Sequence, residues 1–207
     1  MGRNIGPKNK IARRFHVNLG LKTNAAKVAR RLMQSPGQHG PTKRRSNASS
    51  YGRQLDEKQK AKFVYGLRER QFRRYVEVAS GMKGDSGVNL NQILEMRMDN
   101  VVYRLGFATT RAQARQLVSH SMFTLNGKKM NIPSHIVSVG DVLALKPNKA
   151  NKKIFEGIDE KLSKHTLPSW LSVATAAKGG TVIGKPVETD FERVFDVKLI
   201  VEYYSTR

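Results

Sequence analysis

The first acidic side chain in this sequence is Asp56; the 55 residues before it hold 13 lysines and arginines and no aspartate or glutamate. Like charges at that density repel one another, so the segment needs an anionic partner to become compact. RNA is the commonest polyanion in a cell. The chain has 207 residues, 38 of them basic and 16 acidic, for a formal net charge of +22. The excess is graded. Residues 56–150 carry 16 basic and 8 acidic side chains, and residues 151–207 carry 9 and 8. Contact with the partner is therefore expected to weaken from the N-terminal arm toward the tail.

Several classes are disfavoured by composition. The sequence has no cysteine, so neither a disulfide nor a thiolate zinc site can form. The longest apolar run is Val142 to Leu145, far short of a membrane span. No apolar stretch follows the N-terminus as a secretory signal would require. Met1-Gly2 opens like an acylation signal, but Gly6 stands where serine or threonine is needed. A cytoplasmic protein with no cofactor, no metal and no membrane partner is the expectation. Apolar residues are 39% of the chain, enough for a core beyond the arm.

Residues 1–50 read as a basic arm, broken at Gly6-Pro7, Ser35-Pro36-Gly37 and Gly40-Pro41, and mainly extended. One short helix fits Asn24 to Met33. Residues 51–88 read as a helical domain completed by residues 188–207. Asp56 and Glu57 suit the start of its first helix. Gly66 interrupts, and Phe72, Tyr75, Val76 and Ala79 then follow helical spacing. That spacing favours core packing over base stacking for Phe72 and Tyr75. Gly81, Gly84 and Gly87 suggest a mobile loop. Residues 89–187 read as a second domain. Its helical pattern runs from Asn89 to Gly106 and resumes, capped by Thr109 or Thr110, up to Ser119. The period then drops to two. Met122 to Leu125, Asn126-Gly127 and Lys128 to Met130 spell a hairpin, because Asn-Gly supplies the two positive φ angles of a type I′ turn. Val142 to Leu145 is a further strand; Trp170 to Val173 and Thr181 to Ile183 are weaker ones. For the last segment, helix and strand both fit.

The chemistry centres on residues 109–129. Arg111 and Arg115 lie one helical turn apart, where two guanidiniums can clamp phosphates from the surface. His120 follows at the helix exit, and Lys128 and Lys129 follow the hairpin turn.

Three runs carry a resemblance: Arg97 to Ala108, Thr110 to His120, and Leu125 to Lys128. They closely resemble the S-four family of RNA-binding domains. The likeness extends to Pro36 to Gly40, Tyr51-Gly52, Glu57 to Lys60, Glu69 to Arg73, Ile132 to Ser134 and Ile200 to Ser205. Together these look like the bacterial, cysteine-free branch of the small-subunit ribosomal protein four family. The resemblance implies an α+β fold: a basic arm, a mostly helical domain, and an S-four-type domain with helices on a small antiparallel sheet. It implies binding to the five-prime domain of small-subunit ribosomal RNA during assembly. It also implies a place on the messenger entry path beside ribosomal proteins three and five, and an influence on translational accuracy.

The candidate RNA contacts are Arg3, Lys10, Arg13, Arg14, Gln38, His39, Lys43, Arg44, Arg45 and Tyr51 from the arm and its end. Lys58, Lys62, Arg68, Arg70, Arg73 and Arg74 follow from the helical domain. Arg104, Arg111, Arg115, His120, Lys128 and Lys129 follow from the second domain. The family often carries four N-terminal cysteines that hold zinc; here Asn9 and Ala12 stand where the first pair would lie. It also usually has glycine after the histidine that ends the second helix of its RNA-binding domain. Here that residue is Ser121, which is sterically disfavoured at positive φ.

Two further segments mimic other chemistry. Gly179 to Pro186 nearly spells a phosphate-binding loop, but Pro186 replaces the magnesium-binding hydroxyl, and the segment reads as a β-turn. Arg97-Met98-Asp99 resembles the catalytic triplet of pseudouridine synthases, yet Asp99 sits in a helical pattern where it can pair with Arg97 or Arg104. The reading is a non-enzymatic RNA binder of the small ribosomal subunit. Its rivals are an RNA-modifying enzyme and a standalone RNA chaperone or translational repressor. DNA is not an expected partner.

Overall fold

In the computed structural model, residues 4–42, 48–158, 160, 162, 165–174 and 178–206 are described. The chain is α+β and divides into two compact units, residues 1–90 with 192–207, and residues 91–191. Its helices include α1 (Lys8–Phe15), α2 (Ala25–Ala29), α3 (Ser50–Val64), α4 (Glu69–Gly81), α5 (Ser86–Glu95), α6 (Met98–Arg104), α7 (Arg111–Ser119) and α8 (Val197–Ser205). The strands are β1 (Phe123–Leu125), β2 (Lys128–Met130), β3 (Val142–Leu145), β4 (Leu171–Ala174) and β5 (Gly179–Val182).

In the first unit, the apolar stripe of α4 buries Phe72, Tyr75, Val76 and Ala79, as their spacing predicts. Helix α3 starts at Ser50, six residues before the acidic pair expected to open it. The side chain of Ser49 accepts from the Gly52 N–H and caps it instead. The end of α4 and the start of α5 likewise shorten the expected glycine loop to residues 82–85. The final segment is helix, with Ile200 and Tyr203 buried.

The arm departs most from expectation. Lys8 to Phe15 is helix, not extended chain, and Phe15 packs on Phe63 of α3 with ring centroids 6.1 Å apart. Helix α2 is capped by Asn24 and stops at Ala29, short of Met33. Arg13 secures this fold: its Nε and Nη2 donate to the carbonyls of Gln34 and Ser35 at 2.8 and 2.9 Å. His16 Nδ1 lies 3.1 Å from the Leu32 carbonyl. Side chain-to-backbone bonds thus close the segment, although it has no carboxylate.

Lys58 was expected at an RNA surface but is buried. Its ammonium sits 2.7 Å from Glu69 Oε1 and 4.4 Å from the centre of the Tyr203 ring. Lys62 meets the other Glu69 oxygen at 3.0 Å, and the Tyr204 hydroxyl donates to Oε1 at 2.8 Å. One carboxylate therefore joins α3, α4 and α8. Burial raises the Glu69 pKa. The hydrogen bonds from Lys58, Tyr204 and Lys62, with the charge of Lys58, outweigh that and hold it down to about 2. Burial first, and then the Glu69 bond, push the Tyr204 phenol above its ordinary range.

In the second unit, an antiparallel sheet of order β2-β1-β3-β5-β4 packs against α6 and α7. The hairpin forms as its sequence requires, with φ of 49° at Asn126 and 76° at Gly127. Asn126 Oδ1 accepts from the Val142 N–H at 2.8 Å, which ties the turn to β3. The Gly179 to Pro186 segment is a correction: its first half is strand β5, Gly179–Val182, not a β-turn, and it overlaps the strand expected over Thr181 to Ile183. A Cβ at Gly180 would lie 2.6 Å from Leu105 Cδ2 and 2.7 Å from the Ser172 carbonyl oxygen. Gly179 and Gly180 serve close packing of the sheet.

Helices α3, α6 and α7 end alike. Backbone bonds run from Leu67 to Lys62, from Phe107 to Val102 and from Met122 to Leu117, each across a residue in the left-handed region. That residue is Gly66, Gly106 or Ser121. Ser121 has φ of 54° and bears the steric cost a glycine avoids.

Two stability outcomes are expected. Ser121→Gly should stabilise the protein by about 1 kcal/mol in urea unfolding, since the strained Cβ is removed. The Glu69 contribution is present above the ordinary glutamate range and is lost as pH falls from about 4.5 toward 2. Glu69→Gln should flatten the acid limb of thermal stability over that interval. An unchanged limb would show that the carboxylate is not coupled to folding.

Candidate nucleic-acid interface

The polar interior of the second unit governs where its arginines can point. Asp99, in the first turn of α6, accepts from Arg97 Nε at 3.1 Å and from Arg97 Nη2 at 2.7 Å. Arg115 Nη1 donates to Asp99 Oδ2 at 3.0 Å. Beside it, the buried Glu95 accepts from Arg104 Nε and Nη2 at 2.8 and 2.9 Å and from Asn100 Nδ2 at 2.8 Å. Asn100 Oδ1 in turn accepts from Arg111 Nε at 2.7 Å, and the Arg111 guanidinium lies 4.5 Å above the Tyr103 ring centre. Two carboxylates and one amide thus hold four guanidiniums. Charge-assisted bonds of this kind fix the direction of a side chain that would otherwise be mobile.

This geometry revises two expectations. Arg111 and Arg115 do share one side of α7, but they are half-buried anchors rather than freely exposed cations; the Arg115 side chain is 13% exposed. Replacing both with glutamate would set carboxylates against Asp99 and the Glu95–Asn100 pair, so the fold is not expected to tolerate it. Asp99 pairs with Arg97 and Arg115 rather than with Arg104, and Arg104 is bonded to Glu95 and to the Asp190 carbonyl. The Asp99 side chain is 6% exposed and enclosed by guanidiniums, which gives it no room to act on a substrate.

Among the described residues, the exposed cations of this unit include Lys128 and Lys129 on β2, and His120 is exposed at the end of α7. Four lysines that sequence reasoning missed lie at positions 146, 149, 152 and 153. Lys152 and Lys153 are exposed. Four lysines in eight residues without a carboxylate was the signal, and it lay inside a region whose average charge is unremarkable.

In the first unit, Arg68, Arg70, Arg73 and Arg74 are all exposed at the start and along the outer side of α4, opposite its buried stripe. Arg73 pairs with Glu77 at 3.1 Å. Lys62 is engaged by Glu69, and Lys58 is interior. Lys10, Arg14, Gln38 and His39 are exposed, with Arg14 4.0 Å from Asp56. Arg13 is occupied in closing the arm. Tyr51 is 46% exposed and stacks on Tyr203 at 5.8 Å, leaving an aromatic face at the start of α3. Arg3, Lys43, Arg44 and Arg45 lie outside the described residues. Among the described residues, no group of three or more metal-ligating side chains comes together, and no helix is long and apolar enough to cross a membrane.

Residues 3–95 match the family model described as the ribosomal protein S4/S9 N-terminal domain, and residues 96–143 match the S4 domain model. A protein of Roseiflexus castenholzii named small ribosomal subunit protein uS4 is 47% identical over 207 residues, covering 99% of this chain and all of the relative. A protein of the same name from Chloroflexus aurantiacus is equally similar over the same span. Another from Hahella chejuensis is 44% identical, again across 99% of this chain and all of its own length.

The buried charge network yields one expected outcome. Asp99→Ala removes the carboxylate to which Arg97, whose side chain is 1% exposed, donates twice. Urea unfolding should show a loss of about 3–5 kcal/mol. A loss below about 1 kcal/mol would mean that Asp99 does not hold the arginines together.

Proposed function

The chain belongs to the uS4 family of small-ribosomal-subunit proteins, and from that premise we propose how it engages RNA. It is a non-catalytic, rRNA-binding constituent of the ribosome. Its specific task, in our reading, is to bind the five-prime domain of small-subunit rRNA early in assembly. There it would line the messenger entry path beside ribosomal proteins three and five and influence decoding accuracy.

The observation that carries this reading is the division of labour among charges. Glu69, Glu95 and Asp99 are spent on joints within the fold, while Arg68, Arg70, Arg73 and Arg74 of the first unit face outward. Lys128 and Lys129 do so in the second, where His120 is also exposed. A surface of this kind binds phosphates by counter-ion release and selects a site by the shape of converging RNA helices. The residues assigned to RNA contact are Lys10, Arg14, Gln38, His39, Tyr51, Arg68, Arg70, Arg73 and Arg74 on the first unit, and His120, Lys128 and Lys129 on the second. Arg104, Arg111 and Arg115 are guanidiniums of the second unit whose orientation is fixed by Glu95, Asn100 and Asp99.

Filter binding to a five-prime-domain transcript tests the reading. With roughly eight phosphates neutralised, affinity should fall by about three to five decades between 50 and 200 mM salt. Arg70→Ala with Arg74→Ala should lower the slope by about 1 to 2 without unfolding the protein. A flat salt dependence, or equal affinity for a scrambled transcript, would sink the proposal.

A further inference from the structure

We infer that a cleft on the far flank of α7 receives one unpaired nucleotide, extruded from the bound RNA. The inference rests on the RNA-binding reading and adds to it a site, a ligand class and a set of residues.

Helix α7 has two polar flanks. Successive residues turn by about 100°, so Arg111 and Arg115 fall on one side of the buried stripe formed by Ala114, Leu117 and Val118. Gln113, Gln116 and His120 fall on the other. The first flank is absorbed by Asp99 and Asn100. The second faces residues 151–154, and between them lies a cleft of about 670 Å³.

The lining suits a nucleobase. Leu117 and Met122, both nearly fully buried, give it an apolar floor. Gln116 and Asn151 line it with amides, and His120 adds an imidazole ring. Amides both donate and accept, as the Watson–Crick edge of a base demands; lysine and arginine only donate. Gln113 Oε1 accepts from the Thr109 N–H and hydroxyl at 2.9 and 2.8 Å, which fixes Gln113 as a wall rather than a reader. Lys152 and Lys153 stand at the cleft as counter-charges for phosphates on either side of the nucleotide. Among the described residues, no carboxylate lines it. A base inside an RNA duplex cannot enter, because its edge is paired and the major groove is too deep and narrow to read. An acidic peptide would satisfy the lysines but would leave the apolar floor and the amides without a matching ligand.

The test uses the full chain and the five-prime-domain rRNA transcript. Gln116→Ala with His120→Ala should weaken binding about 5- to 100-fold, the scale of one lost base contact, and leave the salt slope unchanged. Lys152→Ala with Lys153→Ala should lower that slope by about 1 to 2. Irradiation of the wild-type complex at 254 nm should join a nucleotide that is unpaired in the RNA secondary structure to a peptide within residues 113–122 or 151–154. Unchanged affinity of the glutamine–histidine double variant overturns the inference while RNA binding by the wild type stands. Loss of rRNA preference by the wild type itself overturns the RNA-binding reading. If the double variant fails to fold, the crosslink decides, and its absence from both segments is fatal. Protection of Lys152 and Lys153 from amine modification in intact subunits, without any nucleotide adduct, would assign the cleft to a protein neighbour and overturn the inference.

Discussion

Carboxylates are the scarce component of this protein, and its architecture depends on where they go. There are 16 against 38 basic side chains. Glu69 links three helices of the first unit by accepting from Lys58, Lys62 and Tyr204. In the second unit, Asp99 and Glu95 hold Arg97, Arg115 and Arg104, and Asp141 accepts from Asn126 beside the hairpin turn. Each sits where elements meet, partly or wholly shielded from water, where an ion pair is strong only if nearly every lone pair is satisfied. The positive charge left on the surface is the remainder after those joints are made.

The same economy explains the N-terminal segment. With neither cysteine nor carboxylate, it closes by directing side-chain donors at main-chain carbonyls. Arg13 takes those of Gln34 and Ser35, and His16 meets that of Leu32. Phe15 then packs on Phe63, and Arg14 approaches Asp56, the first acid in the chain. A segment whose net charge predicts an extended arm thus folds in part, because a few well-placed bonds and one aromatic contact oppose a repulsion that solvent already screens. The family pattern of zinc-binding cysteines is absent at Asn9 and Ala12.

Local signals in the sequence were read well wherever one residue determines a backbone angle or one period determines a face. Asn126-Gly127 turns the hairpin, Gly106 ends α6, Thr110 caps α7, and Phe72, Tyr75, Val76 and Ala79 point inward. Lys58 was misread because helical spacing alone does not reveal that Tyr203, 145 positions later, lies beneath it. Arg111 and Arg115 were read as surface for a related reason. Asp99 and Asn100, which draw them inward, belong to another helix. Gly179 to Pro186 was read as a turn, with a strand only from Thr181 to Ile183; in the sheet Gly180 is needed because Leu105 and Ser172 approach too closely for any side chain.

Sequence alone determined the chemical class of the partner, the absence of thiol chemistry, and the places where helix gives way to strand, since charge and periodicity are local properties. Tertiary structure decided which cations remain at the surface. That choice depends on whether a carboxylate, a carbonyl or an aromatic face from a distant part of the chain reaches a given guanidinium or ammonium first, and such encounters leave no trace in residue spacing.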